Sequence, residues 1–203
     1  MDLFQPSENL LPFDGFVTYK AGLLSLSESK ELMDYMMEEI DWRQEKLILF
    51  GKPIQMRRKI AWLGDKPFKY KYGGSIKTAS LWPKGLLNLK EKVELSSNSK
   101  FNSCLLNLYF DGDDGMGWHS DNEKELIKNS TIASVSLGAT RPFKFKHNST
   151  GNQIKITLES GSLLLMEGET QQFWKHALPK TKKSKTPRVN LTFRLFDEQN
   201  AIL

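Results

Sequence analysis

From Phe101 to Phe196 the chain advances in short runs of alternating apolar and polar residues, broken by turn-forming stretches at 111–115, 147–152 and 160–161. A period of two sends successive side chains to opposite faces of a strand, so each run can bury one face and keep the other polar. The runs fall at 101–110, 131–138, 142–147, 153–158, 162–167, 171–176 and 188–196, each close to the usual strand length of roughly 3–10 residues. This pattern predicts two facing sheets, a double-stranded β-helix (jelly roll).

Before residue 101 the period changes. Ser25 and Glu28 have capping-box spacing ahead of Leu32, Met33, Met36, Met37 and Ile40, which recur as one helical face. A second helix is expected from about Pro83, carrying Leu86, Leu87, Leu89 and Val93 and ending in the polar stretch 96–99. The fold class is therefore mostly β with N-terminal α/β elements. Residues 1–100 form an extension with two helices and residues 101–203 the jelly-roll core, together one compact unit.

With 203 residues, 39% of them hydrophobic, the chain can bury one sizeable core. Its formal charge of +5 and pI near 9.1 suit a polyanionic partner. The single cysteine, Cys104, has no intramolecular partner and lies in an apolar run, as an inert buried thiol does. No stretch approaches the roughly 20 apolar residues of a membrane span, and residues 1–11 lack the pattern of a secretory signal. A non-secreted protein in a reducing compartment is expected.

Two of the three histidines fall in places that bear on chemistry. His119 and Asp121 are two apart at a strand end and point the same way, and the distant His176 can complete one triangular face around a metal. Such a face leaves positions open for other ligands. In the last run, Arg188, Asn190, Thr192 and Arg194 alternate with Val189, Leu191, Phe193 and Leu195. Two arginines with an amide and a hydroxyl between them make a row able to hold carboxylates. Asn107 and Tyr109 share one strand face and add donors of the same kind.

At this point four ordered blocks resemble the AlkB family of oxidative demethylases: 107–109, 118–121, 133–138 and 187–194. The early segments Asn9-Leu10-Leu11-Pro12 and Phe50-Gly51-Lys52 are similar to the bacterial members and to the vertebrate homologue that repairs duplex DNA. The resemblance implies Fe(II) held by His119, Asp121 and His176. It implies 2-oxoglutarate as cosubstrate, its distal carboxylate on Arg188, with Asn107, Tyr109, Asn190, Thr192 and Arg194 completing the pocket. It further implies dealkylation of bases such as 1-methyladenine and 3-methylcytosine in DNA, consuming oxygen and releasing succinate, carbon dioxide and formaldehyde.

A base inside a duplex cannot reach such a centre, so the target must be flipped out or already single-stranded. The segment 70–74 matches the family's nucleotide-recognition lid, which makes Tyr72 the stacking candidate beside Tyr70. Phe50 matches an aromatic finger that fills the gap left by the base, flanked by Gly51 and Lys52. Asn122 and Glu123 follow the metal motif and are placed to read the base edge; several relatives carry an acid where Asn122 stands. Basic clusters, Lys52 with Arg57, Arg58 and Lys59, then Lys66, Lys69 and Lys71, then Lys180, Lys182, Lys183 and Lys185, are expected to meet phosphate. DNA is the expected partner, with RNA the alternative, and the family expectation is a monomer, cytoplasmic if bacterial or nuclear if eukaryotic.

The turn at 111–115 has calcium-loop residues in the wrong spacing, and phosphate loops, dinucleotide fingerprints and Cys-x-x-Cys pairs are absent from the sequence. Three other functions compete. A hydroxylase of the same fold acting on proteins or small molecules leaves the basic clusters without a role. A nucleic-acid binder without catalysis leaves the metal face unused, and a zinc hydrolase leaves the arginine pair unexplained.

Overall fold

The computed structural model describes residues 8–49, 52–72 and 75–199. In chain order they form β1 (Phe16–Lys20), α1 (Leu26–Glu39), β2 (Arg43–Leu49), β3 (Lys52–Gly64), β4 (Lys69–Tyr72), β5 (Ser75–Thr78), β6 (Ser80–Leu81) and α2 (Lys84–Ser97). There follow β7 (Ser103–Tyr109), β8 (Met116–His119), β9 (Ile132–Gly138), β10 (Arg141–His147), β11 (Gln153–Leu158), β12 (Ser162–Glu167), α3 (Thr170–Phe173), β13 (Trp174–Leu178) and β14 (Arg188–Arg194).

The capping box forms as its spacing requires. Ser25 Oγ accepts the Glu28 N–H at 3.2 Å while Glu28 Oε2 accepts the Ser25 N–H at 2.7 Å, so two orphan donors of α1 are satisfied. Met36 is fully buried, whereas Met37 lies off the apolar stripe and is 42% exposed. Pro83 stands at the start of α2, where a missing N–H costs nothing, and Asn98 ends it in the left-handed region at φ 48°. Leu86, Leu89 and Val93 of α2 are buried and Leu87 is exposed.

A large antiparallel sheet runs β1-β12-β9-β14-β7-β3-β2, with β6 added in parallel beside β3. A smaller one runs β11-β10-β13-β8, and β4 pairs with β5. One face of the large sheet buries Leu106, Leu108, Val135, Leu137, Val189, Leu191 and Phe193 together with Met36, Leu86, Leu89 and Val93 of the two helices. Its other face meets the small sheet, where Tyr109, Leu164 and Met166 pack with Phe143, Phe145, Trp174 and Leu178. This is the jelly roll that the strand spacing predicted.

The strand expected at 171–176 is displaced. Residues 170–173 form the short helix α3, and the strand is Trp174–Leu178. Thr170 explains the shift: its Oγ1 accepts the Phe16 N–H at 2.9 Å and donates to Glu167 O at 2.6 Å, closing a turn rather than a ladder.

Of the α/β elements expected before residue 101, only the two helices have positions assigned from the sequence, and the strands there are extensive. The long strand β3 pairs with β7 from Lys59↔Leu108 to Gly64↔Ser103, and β1 pairs with β12, so both extend the large sheet. The basic run Arg57-Arg58-Lys59 obscured the alternation of β3. Met56, Arg58, Ile60 and Trp62 in fact share one face. Among the described residues no helix is long and apolar enough to cross a membrane.

Candidate active site

Strands β8 and β13 pair so that His119 lies directly opposite His176, with ring centroids 4.2 Å apart. Asp121 follows two residues after His119. One ligand atom from each of His119, Asp121 and His176 lies within 4.8 Å of the others. Each member of the group is held by its surroundings. His119 Nδ1 is 2.8 Å from Gly117 O, and because a carbonyl only accepts, Nδ1 donates there and leaves Nε2, 3.9 Å from Asp121 Oδ1, as the ligand atom. The Asp121 N–H donates to Gln171 Oε1 at 2.9 Å, and Arg194 Nη2 approaches Asp121 Oδ1 at 2.7 Å.

The electrostatics favour metal ligation. Burial is the main force on His176 and, with His119 and Arg194 adding to it against Asp121, takes the imidazole down to about 3, so the ring is neutral. Burial opposes ionisation of Asp121, but Arg194, His176 and His119 outweigh it and hold the carboxyl at about 2. Two imidazoles and a carboxylate form a donor set suited to a divalent transition metal. Buried His176 Nδ1 has no hydrogen-bond partner.

The polar row of β14 sits beside this group. The register places Arg188 opposite Tyr109 and Gly138, Asn190 opposite Asn107 and Ser136, and Thr192 opposite Ser134. Arg188 Nη2 donates to Asn190 Oδ1 at 2.7 Å and to Ser136 Oγ at 2.9 Å. Asn190 Nδ2 donates to Thr192 Oγ1 at 2.8 Å, and Ser134 Oγ to Asn190 Oδ1 at 3.1 Å. Arg188 is 1% exposed and has no carboxylate partner among the described residues. Burial pulls its guanidinium down to about 10, with Tyr109 opposing and Arg141 adding to the shift. Burial also raises the Tyr109 phenol, so its hydroxyl stays a donor. Asn107 Oδ1 is buried without a partner. Arg188 Nε is also buried without a hydrogen-bond partner, and a buried cation with an unsatisfied donor is chemically incomplete and fits an incoming carboxylate.

These groups line one cavity of about 590 Å³ between the sheets. All six residues expected to hold an acid line it, as do His119, Asp121, His176, Arg58, Asn122 and Glu123. Arg58 is 6% exposed, with Nη1 3.4 Å from Met116 Sδ. Lys52 opens β3 opposite Leu49; Tyr70 pairs with Lys77, and Tyr72 with Ser75, in the β4–β5 hairpin. Phe50, Gly51, Gly73 and Gly74 lie outside the described residues.

Several members have no role assigned from the sequence. Ser134 and Ser136 orient the arginine row, and their alternation with Ala133, Val135 and Leu137 was a usable signal. Gln171 on Asp121 and the cavity wall of Met56, Ile60 and Trp62 had none that local pattern could supply. Of the basic clusters, Arg57 forms ion pairs with Asp111 at 3.0 Å and Asp114 at 3.7 Å, and Lys66 pairs with Glu198.

Residues 16–194 match the 2OG-Fe(II) oxygenase superfamily. The chain is 36% identical to alpha-ketoglutarate-dependent dioxygenase alkB homolog 3 of Bos taurus over 182 residues, 85% of this chain and 63% of that protein. It is 36% identical to DNA oxidative demethylase ALKBH2 of Homo sapiens over 183 residues, 85% of this chain and 70% of that protein. The solved structure of OsALKBH1 superposes with a TM-score of 0.62 at 19% identity, covering 88% of this chain and 97% of that one, a likeness of fold. The chain belongs to the 2OG-Fe(II) oxygenase superfamily, and within it to the AlkB family. Fe(II) and 2-oxoglutarate are the metal and cosubstrate that this membership implies. The chain spans a little under two thirds of the length of its alkB homolog 3 relatives.

Proposed function

We propose that this chain oxidatively removes alkyl groups from damaged bases in DNA, with N-alkylated lesions such as 1-methyladenine and 3-methylcytosine as substrates. The observation that carries this reading is the shared cavity: the His119, Asp121 and His176 ligand atoms and the Arg188 guanidinium, which has no carboxylate partner among the described residues, open into one space. The comparison with DNA oxidative demethylase ALKBH2 supplies the substrate class.

His119 Nε2, an oxygen of Asp121 and an imidazole nitrogen of His176 would hold the iron. Arg188 would bind the distal carboxylate of 2-oxoglutarate, steadied by Asn190 and Ser136, while Tyr109 and Asn107 donate from the facing strand. Arg194 holds Asp121 in its ionised form and in place. When bound, iron and 2-oxoglutarate together activate oxygen toward a C–H bond, yielding succinate and carbon dioxide. The protein's part is alignment: Asn122 and Glu123 meet the edge of the flipped base, and the apolar walls from Met56, Ile60 and Trp62 keep water from the reacting carbon. Hydroxylation of an N-methyl carbon leaves a hemiaminal, which releases formaldehyde and restores the base. A monomer in the nucleus or cytoplasm suits this role.

The test is release of succinate and formaldehyde from oligonucleotides carrying 1-methyladenine or 3-methylcytosine, with Fe(II) and 2-oxoglutarate supplied or withheld. Product from methylated DNA only when both are present supports the proposal. Turnover of methylated RNA alone, or of no nucleic acid, would refute it.

A further inference from the structure

The outward face of the small sheet carries a charge pattern that the reaction does not use. Phe143, Phe145 and His176 turn inward, so Lys144 and Lys146 of β10 and Lys175 of β13 turn outward, as does Lys155 of β11 between Ile154 and Ile156. The registers set these lysines against one another: Lys144 is directly opposite Lys155, and Lys146 directly opposite Lys175. Like charges in facing positions destabilise a sheet. The other outward positions of these strands, Pro142, Gln153, Thr157 and Ala177, supply no carboxylate. None of the four lysines has an ion-pair or hydrogen-bond partner among the described residues.

A sheet that keeps four unpaired ammonium groups within strand spacings of roughly 5 Å is built for a polyanion. Its position narrows the choice. The edge strand β8 carries His119 into the cavity and turns Trp118, 42% exposed, toward solvent. One strand pair, β8 and β13, thus supplies the cavity with its histidines and the outer face with Trp118 and Lys175. A DNA strand leaving the cavity over this edge would run onto the lysines.

We propose that Lys144, Lys146, Lys155 and Lys175 form a docking surface for the phosphate backbone of duplex DNA, extending the footprint beyond the cavity mouth. This rests on the functional reading above. Each lysine neutralises phosphate without reading sequence, so the surface acts on affinity and approach rather than on lesion choice.

The experiment compares wild type with the combined variant Lys144→Gln, Lys146→Gln, Lys155→Gln and Lys175→Gln. For methylated duplex DNA, the slope of log binding constant against log salt should become shallower by about 3.6 in the variant. KM for DNA should rise while kcat and DNA-independent succinate formation stay unchanged. The thermal midpoint should hold or rise, because facing like charges are removed, and arginine at all four positions should restore the wild-type slope. An unchanged slope in a folded variant overturns the inference while leaving base repair by the wild type standing. A loss confined to binding of phosphatidylserine vesicles also overturns it, in favour of a lipid surface. Wild type that neither binds nor repairs methylated DNA removes the functional reading itself.

Discussion

Arg194 Nη2 lies 2.7 Å from Asp121 Oδ1, with the arginine side chain 13% and the aspartate 4% exposed. The contact ties the end of β14 in the large sheet to the loop after β8 in the small one. Removing one partner of a buried pair strands the other charge, at about 3–5 kcal/mol. Arg194→Met should therefore lower the unfolding free energy of the metal-free protein by an amount in that range, read from the denaturant midpoint. Added Fe(II), a cation for the same carboxylate, should narrow the gap. Equal midpoints without metal would show that the pair carries no such weight.

His176→Ala removes a ligand from a face that has no spare donor. Fe(II) retention in equilibrium dialysis and succinate formation should both be lost, with near-wild-type secondary structure by circular dichroism. Full turnover in that variant would exclude the assigned ligand set.

Arg188 is buried beside Tyr109, with its guanidinium centre 5.5 Å from the ring centroid. A hydrogen bond to a charged group contributes about 1.5–3 kcal/mol, so Arg188→Met should raise KM for 2-oxoglutarate by roughly 10- to 150-fold. Lysine should restore little, because it lacks the planar fork that Ser136 and Asn190 hold. An unchanged KM would place the cosubstrate elsewhere.

Gly112 marks a close approach between two loops. A Cβ there would stand 1.8 Å from Thr181 O, where Thr181 N–H donates to Gly112 O at 2.8 Å and Gly112 N–H to Ser184 O at 2.9 Å. Gly112→Ala should cost about 1–3 kcal/mol, the range for overpacking, and detach the segment holding Lys180, Lys182 and Lys183. Calorimetry would read the loss, and an unaltered melting temperature would contradict it.

Glu28 is held at about 2, below its ordinary 4.5, first by the Lys92 ammonium and then by the Ser25 N–H. A carboxyl depressed on folding contributes stability that is full above 4.5 and lost as pH falls toward 2. The stability difference between wild type and Glu28→Gln should thus be present at neutral pH, shrink through this acid window and weaken in high salt, since the group is exposed. Denaturant melts at neutral and acid pH would test it, and a pH-independent difference would reject the linkage.

The residues legible in advance were those whose chemistry is local. Ser25 and Glu28 announce a helix start three residues apart, and the alternation from Arg188 to Leu195 announces a strand with one polar face. The four ordered blocks then joined the histidines, the aspartate and the arginines into one site, which the shared cavity of the fold repeats. Less legible were features created by folding. Arg57 reads as part of a basic run until the turn at 111–114 arrives to neutralise it, and Gln171 reads as an ordinary strand residue until α3 brings it to Asp121. In β3, charge masked the period because Arg58 shares the cavity-facing side of the strand with Met56, Ile60 and Trp62.

Strand β14 is a partition wall between two solvents of opposite character. Val189, Leu191 and Phe193 are each 0% exposed among the helices, while Arg188, Asn190 and Thr192 look into the cavity. A slip of one residue in its pairing would exchange the two sets, driving guanidinium groups into hydrocarbon and turning leucine into the cavity. Misregistered folding is thereby penalised on both sides at once, and any chain that completes this sheet has already turned its polar row toward the cavity.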